Sequence, residues 1–228
     1  MVYGLSTMDL NLTTQIKDLT FRNPITVASG TFGTSDEYAK WLDYEKLGAV
    51  IAKTITLRPR QGNPMPRICE TGGGMLNAIG LQNKGLEDFI QKKIPYFEKI
   101  DTPLIANIAG ESTEEFVELT RALERRKNVV KAIELNLSCP NIEEGGVTFM
   151  RKRELILEVV KAVRGETDLP VIAKLSPELG DVVAIAGEVI QAGADALSLI
   201  NTLKGMAVDI ECRKSRLANI TGGLSGPA

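Results

Sequence analysis

Short runs of apolar and β-branched residues recur along the chain, at Ile25 to Ala28, Ala49 to Ile55, Leu104 to Ile108, Ala132 to Leu137, Val171 to Leu175 and Ala196 to Ile200. Continuous apolar runs of this length, bounded by turn-forming residues, predict strands buried on both faces. Between most of them lie amphipathic stretches, Thr113 to Arg126, Arg151 to Arg164 and Asp181 to Ala192, with apolar positions three and four residues apart. That spacing is one face of a helix. Ser112 before Thr113-Glu114-Glu115 reads as an N-cap with acids in the first turn, and Gly165 and Gly193 read as helix stops. Strand and helix in alternation imply a parallel sheet, either open and doubly wound or closed into a barrel.

The polar residues choose between the two. Lys53, Asn107, Asn136, Cys139, Lys174, Asn201 and Thr202 stand at or just beyond the C-terminal ends of successive predicted strands. An open sheet would use only the strands flanking one crevice, whereas a (β/α)8 barrel gathers its site from nearly all of them. About six βα units precede the terminal Gly222-Gly223-Leu224-Ser225-Gly226-Pro227-Ala228, against the eight that close a TIM barrel. The expected architecture is therefore an α/β TIM barrel, one domain over 1–228, truncated after about six βα units, with a natural chain continuing past Ala228.

Composition narrows the chemistry. At 43% hydrophobic and 25% charged residues, the 228-residue chain has the balance of a globular domain. A net charge of −2 without long single-sign blocks argues against nucleic acid as a partner. No apolar run reaches the ~18 residues of a membrane span, and no basic-then-apolar leader opens the chain, so a cytoplasmic location is expected and the sequons at Asn11, Asn136 and Asn219 read as chance matches. Cys69, Cys139 and Cys212 are too scattered for a disulfide framework or a clustered metal site. Histidine is absent, which excludes a Ser-His-Asp triad, a Cys-His pair and any His-ligated metal. A general base must be Cys, Lys, Tyr or a carboxylate.

Among those, Cys139 follows a predicted strand in Asn136-Leu137-Ser138-Cys139-Pro140-Asn141, where Pro140 blocks a helix and three side chains can hydrogen-bond. A lone Cys is more often a small buried hydrophobe, and the amide-rich surroundings weigh against that. Asn77-Ala78-Ile79-Gly80-Leu81-Gln82-Asn83 suits presentation of amides and backbone N–H groups to a planar polar ligand, with a plain surface turn as the alternative. Lys53 and Lys174 interrupt apolar strands in Val-Ile-Ala-Lys-Thr and Val-Ile-Ala-Lys-Leu. Burying an ammonium is costly, so each is a site candidate, a structural ion pair or an aldolase-like Schiff-base lysine. Gly222 to Gly226 is a weak phosphate-cradle signal, with a loose tail as the alternative. Leu57 to Glu70 and Glu143 to Gly146 are glycine-bearing candidates for covers over the site.

Lys53-Thr54, Asn77 to Asn83, Asn136 to Asn141, Ala173-Lys174-Leu175-Ser176-Pro177, Asn201-Thr202 and Gly222 to Gly226 together resemble the class 1 dihydroorotate dehydrogenases, in order from Leu10 to the last residue. Gly74 to Asn83 is most similar to the substrate loop of class 1B. The resemblance implies FMN at the barrel mouth and oxidation of (S)-dihydroorotate to orotate in pyrimidine synthesis, Cys139 removing the C5 proton and FMN accepting the C6 hydride. It assigns Ser29, Lys53, Thr54, Asn107, Asn136, Lys174, Ile200 and Gly226 to the cofactor, Gly226 beside its phosphate. Lys53, Asn77, Ala78, Ile79, Gly80, Leu81, Asn136, Asn141, Asn201 and Thr202 are assigned to the substrate. It also implies a homodimer of this chain within a heterotetramer, passing electrons to NAD+ through a separate subunit with FAD and a [2Fe–2S] cluster, since this chain has neither a cysteine cluster nor a Gly-x-Gly-x-x-Gly after a strand. Three other readings remain: a class 1A homodimer using fumarate, a related flavin barrel for dihydropyrimidines lacking the carboxylate, and a truncated fragment without catalytic role.

Overall fold

The structure, a computed structural model, describes residues 11–33, 37–137 and 153–226. Cys139, Asn141 and the expected cover at Glu143 to Gly146 lie outside the described residues. An N-terminal antiparallel hairpin of β1 (Thr14–Ile16) and β2 (Leu19–Phe21) leads into β3 (Thr26–Val27) and β4 (Ala49–Ile51). A second hairpin, β5 (Ile68–Thr71) and β6 (Gly74–Asn77), precedes short helices α1 (Gly85–Asp88) and α2 (Ile94–Phe97), joined by a π-helical turn. Then come β7 (Leu104–Ile108), α3 (Thr113–Glu124), β8 (Val130–Asn136), α4 (Arg153–Arg164), β9 (Val171–Lys174), α5 (Val182–Gln191) and β10 (Ala196–Ser198). The chain ends in β11 (Leu203–Gly205), the small hairpin β12 (Val208–Asp209) and β13 (Lys214–Ser215), and β14 (Gly222–Ser225).

Six strands pair in parallel in the order β10-β9-β8-β7-β4-β3, the succession a barrel wall produces. All six sit where the apolar runs predict them. The two edge strands are shorter and more exposed than expected: Ile25, just before β3, is 60% exposed, and β10 is only half-buried. The interior strands match the expectation of burial on both faces, β7 being buried at every position.

Alternation along these strands sorts the side chains. Val50, Leu104, Ala106, Ile108, Ile133, Leu135, Val171 and Ala173 join the large core with Phe116, Leu119 and Leu123 of α3 and Ile156, Val159, Val160 and Val163 of α4. The opposite parity, Ala49, Ile105, Ala132 and Ile172, packs with Phe21 and with the partly buried Ile16, Leu19 and Ile51. The N-terminal hairpin thus closes the apolar end of the sheet's inner face. The same inner parity, followed toward the strand C-termini, reads Asn107, Glu134, Asn136 and Lys174.

Helix signals fall where the sequence puts them. Ser112 Oγ accepts from the Glu115 N–H at 3.4 Å, Asp181 Oδ1 accepts from the Ala184 N–H at 3.0 Å, and Gly193 takes the left-handed φ of +116° after α5. Asp195 Oδ2 accepts from the Val171 N–H at 2.8 Å and pairs with Arg164 at 2.8 Å, tying the end of α4 to the start of β9.

Two outcomes follow. Phe116, 1% exposed between α3 and the sheet, should cost about 3–5 kcal/mol on truncation to Ala, read as a lowered urea midpoint. Arg121 holds the Glu166 carboxyl below its ordinary 4.5 by a hydrogen bond first and charge second. The folded form therefore binds that proton less readily than the unfolded one, and the pair's contribution is complete above pH 4.5 and lost as pH falls below it. Melting temperature measured between pH 6 and 3 should fall less steeply in Glu166→Gln than in the parent.

Candidate active site

At the C-terminal ends of the strands the inner face turns from apolar to polar. Asn107 is fully buried, and its Nδ2 donates to Glu134 Oε1 at 2.5 Å. Among the described residues Asn107 Oδ1 is the one buried side-chain polar atom without a hydrogen-bond partner. Such an acceptor fits a ligand that brings an N–H to it.

Two residues past Glu134 on β8, Asn136 is 7% exposed and its Oδ1 accepts from Asn201 Nδ2 at 3.2 Å. Asn201 Oδ1 in turn accepts from the Thr202 N–H at 2.8 Å, and its own N–H donates to Leu175 O at 2.9 Å. A Cβ on Gly223 would fall 2.1 Å from Thr202 Oγ1, so only glycine allows β14 to lie against Thr202. Gly223 O then accepts from Asn77 Nδ2 at 3.3 Å. Asn77, Gly223, Thr202, Asn201 and Asn136 thus form one contiguous polar run. Lys174 sits beside it, opposite Asn136 on one side and Ser198 on the other.

The other half of the mouth comes from β3 and β4. Thr54 is 3% exposed and shares a hydroxyl contact of 3.3 Å with Ser29. The Ile55 N–H donates to Asn107 O at 2.9 Å, which joins this half to the amide row. Lys53 and Thr54 line a cavity of about 580 Å3 together with Glu37, Arg60, Asn83, Lys84, Asp88 and Lys93.

The loop after β6 is built to a fixed shape. Gly80 has φ +74°, and a Cβ there would lie 2.7 Å from Asn63. Leu81 follows at φ +54°, a left-handed conformation costly for a branched residue and held by Asn83, whose Nδ2 donates to Leu81 O at 2.8 Å. The Ala78 N–H donates to Arg67 O at 2.8 Å and Ile79 O accepts from the Asn63 N–H at 3.0 Å. Those two backbone groups therefore serve the loop itself.

Two expected residues stand apart from the run. Gly222–Ser225 is neither a phosphate nest nor a loose tail but a strand between β11 and β6, with Ser225 opposite Met75 and Gly226 packed against Gly73 and Gly74. That is the far end of β6 from Asn77. Ile200 is 46% exposed, one residue before Asn201. Glu134 was not foreseen in the sequence; a Glu inside Ile133-Glu134-Leu135-Asn136, on the parity of Asn136, was the available signal. Among the described residues no group of Cys, Asp and Glu could hold a metal ion, and no helix is long and apolar enough to cross a membrane.

The fold and this mouth define a (β/α)-barrel protein whose site, formed by amides and lysines at strand C-termini, suits a planar polar ligand. The family model described as dihydroorotate dehydrogenase matches residues 11–228. The chain is 52% identical over 218 residues to the dihydroorotate dehydrogenase B (NAD(+)) catalytic subunit of Geotalea daltonii, covering 96% of this chain and 71% of the relative. It is 51% identical over 221 residues to the protein so named from Pelobacter propionicus, covering 97% and 72%, and 50% identical over 217 residues to that from Listeria welshimeri, covering 95% and 71%. A crystal structure of a dihydroorotate dehydrogenase from Eimeria tenella in complex with ferulenol matches the fold with a TM-score of 0.73 at 24% identity, covering 100% of this chain and 68% of that one. The chain belongs to the dihydroorotate dehydrogenase family.

The close approach at Gly223 is checked by substitution. Gly223→Ala should displace Thr202 or β14 and lower folding stability by about 1–3 kcal/mol. Gly72→Ala, which meets nothing within 4 Å, should stay within about 0.5 kcal/mol of the parent in the same thermal melts.

Proposed function

We propose that this chain is the catalytic subunit of an NAD+-linked, class 1B dihydroorotate dehydrogenase, oxidising (S)-dihydroorotate to orotate in pyrimidine biosynthesis. The observation that carries this is the polar run from Asn77 through Thr202 and Asn201 to Asn136, beside Lys174, in a chain about half identical to relatives so named. Orotate is itself a ring of alternating amide donors and acceptors with a carboxylate, and neutral amides match that pattern.

FMN is the cofactor this reading requires, and the residues fit it: Asn107 offers a buried acceptor, Ser29 and Thr54 offer hydroxyls, and Lys53 and Lys174 offer positive charge at the mouth. When bound, FMN supplies the acceptor for the hydride leaving C6 of the substrate. The chain's own residues do the rest. Asn77, Asn136, Asn141, Asn201 and Thr202 hold the substrate's amides and carboxylate, and the shaped loop of Ala78, Ile79, Gly80 and Leu81 borders them. Cys139 takes the C5 proton, three residues past the end of β8 in a chain without histidine. Lys53 and Lys174 stabilise negative charge as it develops, Lys53 reaching cofactor and substrate alike. Gly226, packed against Gly73 and Gly74, lies apart from this polar run, and Ile200 is half exposed beside Asn201.

The class 1B assignment adds an electron-transfer subunit with FAD and a [2Fe–2S] cluster, in a cytoplasmic heterotetramer built on a dimer of this chain, which acts as a single FMN-binding domain. It is supported by the names of the relatives and by this chain's lack of a cysteine cluster. Fumarate reduction by the isolated chain would sink it in favour of class 1A.

The visible spectrum of purified protein tests the activity. A flavin band that bleaches on adding dihydroorotate is expected; a colourless protein that takes up no FMN would refute the reading. Cys139→Ala should keep the band but slow its bleaching by about 10²–10⁴-fold, the range for loss of a general base. A free thiol ionises near pH 8.5, so the single-turnover bleaching rate of the parent should rise with pH toward about that value, and a flat profile would count against Cys139 as base.

A further inference from the structure

Glu134 is 1% exposed and lies on the inner face of the sheet at the junction of its two layers. It lines a cavity of about 340 Å3 together with Ile51, Ile105 and Ile172 and with residues of the N-terminal hairpin. Beside it is Asn107, its register partner on β7. Among the described residues it makes no ion pair, and it accepts a hydrogen bond from Asn107 Nδ2 at 2.5 Å. A carboxyl group is a costly thing to bury without a cation, and this one is spent on the amide of Asn107.

We propose that Glu134 is a positioning residue for the cofactor site, fixing which end of the Asn107 amide faces the ligand. An asparagine amide has a donor end and an acceptor end of nearly equal shape, so packing alone does not choose between them. The Glu134 carboxyl accepts from Nδ2, which holds that end of the amide toward it. Oδ1 is turned the other way, where it is buried and, among the described residues, without a partner. Asn107 is thereby set as an acceptor for a ring N–H. The oxidised isoalloxazine carries such a donor on its pyrimidine edge, and with the amide reversed, Nδ2 would meet that N–H donor to donor. The inference rests on the FMN reading above.

The test titrates FMN into apoprotein, follows flavin fluorescence quenching for affinity, and measures the flavin midpoint potential of each holoprotein. Glu134→Leu, which removes the acceptor, should weaken FMN binding by about tenfold, the worth of one hydrogen bond. Glu134→Gln retains an acceptor oxygen and should recover most of that loss. In an Asn107→Ala background Glu134→Leu should add little, because the residue it acts through is gone. A second arm does not depend on Glu134→Leu folding. Asn107→Asp sets two carboxylates face to face and should weaken binding, and adding Glu134→Gln should restore it by giving the new carboxylate a donor while leaving an outward acceptor. Equal affinity and potential in Glu134→Leu and the parent would overturn the proposal, as would additivity with Asn107→Ala or failure of the second arm to restore binding. If the parent binds FMN and these variants behave otherwise than stated, only the role of Glu134 fails; if the parent binds no FMN, the flavin reading falls with it.

Discussion

Everything at the mouth of this protein depends on a period of two. In a parallel strand successive side chains face opposite sides of the sheet, so a strand covered on both sides needs two independent sequences threaded through one another. Val50, Leu104, Ala106, Ile133, Leu135, Val171 and Ala173 write the outer one, and α3 and α4 cover it. Ala49, Ile105, Ala132 and Ile172 write the inner one, and Phe21 with the N-terminal hairpin closes its lower end. A slip of one residue in β8 would send Glu134 and Asn136 into the helix layer and Ile133 and Leu135 into the mouth. The apolar outer sequence therefore sets the register that aims the polar residues.

The second constraint is that the inner sequence changes character along the strand. Ala132, Glu134 and Asn136 are successive inward positions of β8, and Ile105 and Asn107 are successive ones of β7. The lower residues are held by packing, which tolerates apolar groups of about the right size. The upper ones are held by hydrogen bonds, which demand specific partners, so the run from Asn136 through Asn201 and Thr202 to Gly223 and Asn77 is a set of mutual restraints. That run borrows from outside the parallel sheet: β14 and β6 belong to a separate antiparallel sheet laid against the strand ends.

This division also explains what could be read from the chain. The six parallel strands and three main helices were legible because burial on both faces leaves unbroken apolar runs, and because Ser112, Asp181 and Gly193 mark helix ends by local hydrogen bonds and backbone freedom. The antiparallel sheet was not, since Gly74–Asn77, Leu203–Gly205 and Gly222–Ser225 are short, partly exposed and paired, Gly74–Asn77 with Gly222–Ser225, across about 150 positions of sequence. Their pairing is a tertiary fact that no local period records. Lys53, Lys174 and the asparagines stood out as polar breaks at strand ends. Which of them touch one another did not, because Asn77 and Gly223 meet only through the folding of two distant hairpins. The role given to Cys139 came from the resemblance and the missing histidines, and it lies outside the described residues.

Glu134 shows why a buried polar residue is easily passed over. Inside Val130–Asn136 it reads as a flaw in an apolar strand, and its two neighbours, Ile133 and Leu135, are fully buried in the helix-facing core. Yet the inner row it belongs to is the only place in the strand where polarity is useful, and its level in that row matters as much as its parity. One step lower it would take the place of Ala132 in the apolar layer with Phe21 and Ile105; one step higher it would take the place of Asn136, opposite Lys174. At its own level it meets Asn107, a neutral partner that carries no charge to the mouth but can be turned by it. The carboxyl that orders one of the amides thus stays a layer below the strand ends near Lys53 and Lys174.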